Sequence, residues 1–83
     1  MRVIYMNYFD ELKRLLDASR FAYKATQKAQ ADGNEIKRLY WTRRLFVFIQ
    51  QMERTIELLN VMEMDDDEGV IQEADAFLHA LID

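Results

Sequence analysis

Residues 31–34 read Ala31-Asp32-Gly33-Asn34, and this short stretch decides how the chain is organised. Gly33 can adopt the left-handed conformation that ends a helix, and Asn34 can cap the helix that follows. The chain contains no proline and only one other glycine, Gly69, which follows an acidic run. Because glycine and proline are the main interruptions of helices, two glycines predict two breaks and therefore three helices.

Apolar residues recur at helical spacing on both sides of these breaks. The three predicted helices cover about residues 7–31, 35–62 and 67–82, and Asn7 is the expected cap of the first. In the first two helices the apolar seam advances in steps of four and three residues, and the third follows the i, i+3, i+4, i+7 pattern. The seam residues are Tyr8, Leu12, Leu15, Ser19, Ala22, Thr26 and Ala29; Trp41, Leu45, Phe48, Met52, Thr55, Leu59 and Met62; and Val70, Ile71, Ala74, Phe77, Leu78, Leu81 and Ile82.

The short linker at Gly33 predicts an antiparallel hairpin of the first two helices. At 1.5 Å per residue these helices are about 37 and 42 Å long, whereas the third is about 24 Å long and can cover only the lower half of the hairpin. The predicted fold class is therefore all-α, a three-helix bundle that dimerisation completes. With 83 residues, the chain is expected to form a single domain over residues 1–83.

The second helix contains Leu45-Phe46-Val47-Phe48-Ile49, five consecutive large apolar residues. At 100° per residue these side chains surround the helix axis, and two neighbouring helices cannot cover them all. A second apolar line flanks the seam of this helix and widens its apolar stripe. It is formed by Ile36, Leu39, Phe46, Ile49 and Ile56. We therefore expect an interface at Phe46, Val47, Phe48 and Ile49, occupied in the free protein by a second copy to give a homodimer, or else by another protein.

Charge is divided strongly along the chain, although the net charge is only −4. Residues 13–44 carry nine basic and three acidic side chains, whereas residues 45–83 carry one basic and ten acidic side chains. The hairpin tip is thus predicted to be basic and the open end acidic, which is a clue to binding partners.

The basic tip combines cationic and aromatic side chains, a pairing that can hold a nucleic-acid backbone and stack on bases. One candidate function is therefore a small nucleic-acid-associated regulator. The acidic net charge argues against it, and Trp41 lies on the apolar seam, where an aromatic residue usually belongs to the core. The residues of the basic tip are Lys24, Lys28, Lys37, Arg38, Tyr40, Trp41, Arg43 and Arg44.

An acidic patch, formed by Asp65, Asp66, Asp67 and Glu68, precedes Gly69. Such carboxylates attract a basic surface on a partner and speed the encounter. By analogy of size and charge alone, the chain is similar to small acidic helical proteins of phages and plasmids that block nucleic-acid-binding machinery. The simpler interpretation is that these residues cap the third helix.

No combination of residues predicts catalysis, a cofactor or a metal site. The chain has no cysteine, one histidine and one serine, which excludes thiolate chemistry and any mechanism that needs two histidines. Residues 64–75 follow the spacing of a calcium-binding loop only in part, because Met64 occupies the first ligand position. We therefore expect a non-enzymatic protein.

The first hypothesis is a protein–protein interaction module that acts as an adaptor, inhibitor or regulator, with nucleic-acid association as the alternative. The absence of cysteine fits a reducing, cytoplasmic setting. No stretch of eighteen apolar residues is present, so no membrane contact is expected, and residues 1–11 lack the pattern of a signal peptide.

Overall fold

The computed structural model describes residues 7–82, which form three α-helices and, within that range, no strand. The all-α fold with a tightly packed hairpin is confirmed, while residues 1–6 and 83, which the single-domain prediction includes, lie outside this range. The predicted start of the third helix at residue 67 is wrong by three residues. The helices are α1, Tyr8–Ala31; α2, Glu35–Val61; and α3, Val70–Ile82.

The turn between α1 and α2 is made by Gly33, whose φ of +71° lies in the left-handed region. The amide of Gly33 donates to the carbonyl of Gln30 at 3.1 Å, and that of Asn34 donates to Ala29 at 2.8 Å. These two bonds satisfy carbonyls that the end of α1 would otherwise leave unpaired. The Asn34 side chain then accepts a hydrogen bond from the Lys37 amide at 3.1 Å, so one turn ends α1 and caps α2.

The end of α2 uses the same geometry without a glycine. Glu63 has a φ of +54°, and the amide of Met64 donates to the carbonyl of Leu59 at 3.1 Å. The second break is therefore made by Glu63, and Gly69, with a φ of +70°, instead lies immediately before α3. A side chain in the left-handed region costs about 1–2 kcal/mol, so this turn is strained where the first is relaxed.

The core occupies the lower half of the hairpin, where all three helices meet. Leu12 and Leu15 of α1 pack there against Met52 and Leu59 of α2, and Ala74 of α3 is fully buried. Towards the tip the buried residues of α1 are small, namely Ser19, Ala22 and Ala29. The hairpin therefore has a thick hydrophobic base and a thin upper part.

α3 packs mainly against α1 and touches α2 less. Ion pairs join Lys13 to Glu68 and Arg20 to Glu73, and the rings of Tyr23 and Phe77 meet edge to face at 6.3 Å. The molecule is consequently flat and elongated, with extents of 50 × 31 × 17 Å. Its radius of gyration is 14.7 Å, compared with about 12 Å for a compact chain of this length.

The two turns yield opposite predictions for stability. Gly33→Ala is expected to lower the free energy of unfolding by about 1 kcal/mol because alanine is strained at positive φ, although nothing lies within 4 Å of the added methyl group. Glu63→Gly is expected to raise it by about 0.5–1 kcal/mol because glycine relieves that strain. Urea denaturation followed by circular dichroism measures both changes, and equal losses in the two variants would contradict the assignment of Glu63.

Candidate interaction surfaces

The four residues of the predicted interface have unequal exposure. Phe46 is 61% and Val47 is 48% exposed, whereas Phe48 and Ile49 are half-buried and pack against the core. The structure therefore divides the apolar run between two faces of α2. Phe46 and Val47 are the members of the run that remain available for an intermolecular contact.

The exposed apolar surface extends beyond this run towards the tip. Ile36 is 82% exposed, and Leu39 and Tyr40 are also exposed. The outward side of α2 therefore carries large apolar groups from residue 36 to residue 47. The periodicity of the sequence places Ile36, Leu39 and Phe46 on a line that flanks the seam of α2, and Phe46 is in addition a predicted interface residue. They are exposed because they lie above the core, whereas Ile56 of the same line belongs to the core and Ile49 packs against it. A shallow groove of about 500 Å³ is lined by Ile36, Leu39, Tyr40, Arg43, Arg44 and Val47.

A second seam, which we name the outer seam, follows α2 along this side in steps of three and four residues. All of its members are exposed, so α2 presents one row of residues to the core and another to solvent. The first half of the outer seam is apolar and basic, and the second half is polar and acidic. The outer seam consists of Ile36, Leu39, Arg43, Phe46, Gln50, Glu53, Glu57 and Asn60.

The aromatic side chains of the basic tip are held in contacts with one another. Trp41 is half-buried and meets Phe21 and Tyr40 edge to face, with ring centroids 5.3 and 5.1 Å apart. The Arg44 guanidinium lies over the ring of Tyr40 at 5.9 Å and over that of Phe48 at 5.4 Å. Trp41 therefore links α2 to Phe21 of α1 in the upper part of the hairpin. The ring of Tyr40 is more accessible to solvent than that of Trp41.

The basic side chains of the tip fall into two groups. Arg38 pairs with Glu35, and Lys28 lies 3.5 Å from the Asp32 carboxylate. The remaining four, which form no ion pair within residues 7–82, are exposed and make up the cationic surface of the tip. They are Lys24, Lys37, Arg43 and Arg44.

The residues of the acidic patch have different tasks. The Asp66 carboxylate accepts hydrogen bonds from the amides of Ile71 and Gln72, both at 3.1 Å, and so caps α3 from the preceding turn. Glu68 pairs with Lys13, while Asp65 and Asp67 are exposed. Half of the patch thus has a structural role in the docking of α3.

A second groove, of about 480 Å³, lies between α2 and α3, and we name it the acidic groove. Glu53 and Glu57 line it from α2 and Asp75 from α3, and none of these carboxylates forms an ion pair within residues 7–82. Its more deeply placed residues are Ile56, which is buried, and Leu78, which is half-buried. The groove therefore combines an apolar base with an unneutralised acidic rim, at the lower end of the outer seam.

Two ion pairs shift the protonation equilibria of their members. The hydrogen bond to Glu68 raises the pKa of Lys13, and the hydrogen bond from Arg38 lowers the pKa of Glu35. The Lys13 contribution to stability is thus lost as pH rises through the raised pKa, and that of Glu35 is lost as pH falls through the lowered one. Both pairs are exposed to solvent, which screens them, so each contributes little to the free energy of unfolding.

The described residues 7–82 contain no group of three or more histidine, aspartate or glutamate side chains placed to hold a metal ion. Over the same part of the chain, no helix is long and apolar enough to cross a membrane. Comparison with known proteins finds no matching family model, no matching curated protein and no matching solved structure.

The capping role of Asp66 makes a prediction that separates it from its neighbours. Asp66→Ala is expected to lower the free energy of unfolding by about 1 kcal/mol, because the amides of Ile71 and Gln72 lose their acceptor. The matched control Asp65→Ala is expected to change it by less than about 0.5 kcal/mol, as is usual for an exposed substitution. Urea titration of both variants measures the difference, and equal effects would remove the capping role.

Proposed function

We propose that the protein is a non-enzymatic protein–protein interaction module that acts as an adaptor, inhibitor or regulator through the outward side of α2. The observation that carries the proposal is the exposed row of large apolar side chains formed by Ile36, Leu39, Tyr40, Phe46 and Val47. Clustered apolar groups of this kind on a soluble domain typically mark an interaction surface. Phe46 and Val47 precede Phe48 and Ile49, which pack against the core, so this part of the row is held in place before binding and loses less entropy.

In the free protein, a second copy is the proposed occupant of this surface, giving a homodimer. A two-fold arrangement places the exposed apolar row of each α2 helix against the other copy and removes both rows from water. Burial of apolar area supplies most of the free energy of association, because each exposed charge pair contributes little. The same surface would then be the one that an adaptor or inhibitor offers to a foreign partner.

The alternative function, nucleic-acid association, is supported by the cationic surface formed by Lys24, Lys37, Arg43 and Arg44. Two observations favour the protein-binding proposal over it. Trp41 is half-buried and packs against Phe21 and Tyr40, so less of its ring is open to a base than on an exposed stacking platform. The acidic groove also lies on the same helix and would repel phosphate.

Phe46→Lys tests the proposed interface. The wild-type protein is expected to be dimeric at tens of micromolar, and the variant is expected to dissociate at least tenfold more readily while keeping its helix content, because Phe46 is outside the core. Sedimentation equilibrium measures the association, and circular dichroism measures the helix content. The control is Leu58→Lys, which changes an exposed apolar residue of α2 outside the outward row and is expected to leave the association unchanged.

Two results would contradict this proposal in different ways. A wild-type monomer at tens of micromolar would remove the homodimer and leave the outward side of α2 as a surface for a foreign partner. A Phe46→Lys variant that loses its helical signal would show that Phe46 supports the intramolecular core.

A titration with labelled single-stranded and double-stranded DNA and RNA of generic sequence tests the alternative. No binding is expected at low salt, since the net charge of −4 opposes association with phosphate. Binding at micromolar or tighter concentration, with a steep loss of affinity as salt rises, would favour the nucleic-acid function. In that case Arg43→Ala with Arg44→Ala should weaken binding equally for all sequences.

A further inference from the structure

The two halves of the outer seam are complementary to one another. Its first half presents apolar groups around Arg43, and its second half borders the acidic groove with Glu53 and Glu57. Neither Arg43 nor Glu53 forms an ion pair within residues 7–82, and both are exposed. One copy of the chain therefore carries two complementary surfaces. One is the apolar and basic first half of the outer seam, which we name the ridge, and the other is the acidic groove with its apolar base.

We infer that the acidic groove of one copy receives the first half of the outer seam of a second copy, in an antiparallel two-fold pair centred near residue 48 of α2. The inference rests on the proposed self-association and specifies its geometry. In this register Arg43 of each copy faces Glu53 of the other, so the central contact contains two identical ion pairs. Phe46 lies next to the two-fold axis, and Ile36 reaches the outer end of the groove near Val61 and Ile82, which are both exposed.

Charge decides between this arrangement and a parallel one. In a parallel pair, equivalent positions face each other, so Arg43 would meet Arg43 and Glu53 would meet Glu53, and such like-charge contacts are unfavourable. In the antiparallel pair the basic tip of each copy lies beside the acidic end of the other. The division of charge between residues 13–44 and 45–83 is thereby neutralised between the copies.

A second copy also suits the groove better than an unrelated basic segment does. The ridge and the groove lie on the same helix, and the spacing of the outer seam is that of two packed helices. A two-fold axis therefore satisfies both surfaces at once, whereas a foreign peptide in the groove would leave the apolar ridge exposed.

Charge reversal in two separate variants tests the register. Arg43→Glu alone and Glu53→Arg alone each place two like-charge pairs in their own homodimer, and each is expected to associate at least tenfold more weakly than the wild type. In an equimolar mixture, the heterodimer regains both ion pairs. In one of the two pairs the positive and the negative side chain have exchanged positions. The affinity of the heterodimer is therefore expected to lie within about threefold of that of the wild-type dimer. Sedimentation equilibrium of the mixture measures it.

The matched controls are Lys24→Glu and Asp17→Arg, which make the same charge changes at exposed positions of α1. They are expected to leave the association almost unchanged, alone or mixed. A dimeric wild type whose two reversal variants do not recover on mixing would overturn the register and leave the proposed function intact. A monomeric wild type would overturn the self-association and this inference with it.

Disulfide formation gives a second measurement that does not depend on charge. The chain has no cysteine, so the variants Arg43→Cys and Glu53→Cys each carry a single thiol. Under oxidation, the mixture is expected to form the heterodimeric disulfide, whereas Arg43→Cys alone is expected to remain reduced, because positions 43 are about 15 Å apart along the axis in this register. Efficient cross-linking of Arg43→Cys alone would show a parallel pair and overturn the inference.

Discussion

The difference in length between α3 and the hairpin governs the rest of the structure. α2 has 27 residues and α3 has 13, so α3 is about 20 Å long beside a helix of about 40 Å. Three helices meet only at the base of the hairpin, and the large buried side chains Leu12, Met52 and Leu59 gather there. Above that level α1 has one partner helix and approaches it through small residues. Two helices of this kind leave the outward side of α2 open to solvent.

Electrostatics follows the same division. Where α3 and the turn before it lie against α1, opposite charges meet, as in the pairs Lys13–Glu68 and Arg20–Glu73. On the outward side of α2, Arg43, which lies beyond α3, and Glu53, which borders the groove between α2 and α3, form no ion pair within the described part of the chain. These charges lie on the same side of α2 as the exposed apolar groups.

Local signals in the sequence predicted the hairpin well. Gly33 and Asn34 determine their turn through their own backbone and side-chain chemistry, and the core seam of α1 follows from its periodicity alone. Glu63 could not be identified in this way, because glutamate has no preference for the left-handed region that its φ of +54° occupies. The exposure of Ile36 and Leu39 depends on where α3 docks, which is a tertiary property. The apolar run at residues 45–49 predicted an exposed apolar surface on α2, but it did not show that this surface extends to Ile36.

The small residues in the upper hairpin divide the molecule into two levels of stability. Ala22 and Ala29 bury little apolar area, so the turn at Gly33 is held mainly by hydrogen bonds and by the ring contacts of Trp41. Opening of the tip therefore exposes far less apolar surface than opening of the base. Amide hydrogens on either side of the turn should exchange with solvent through this partial opening, while those near Leu12 and Leu59 wait for the whole chain to unfold. The protein can thus loosen its basic end while its hydrophobic base stays intact.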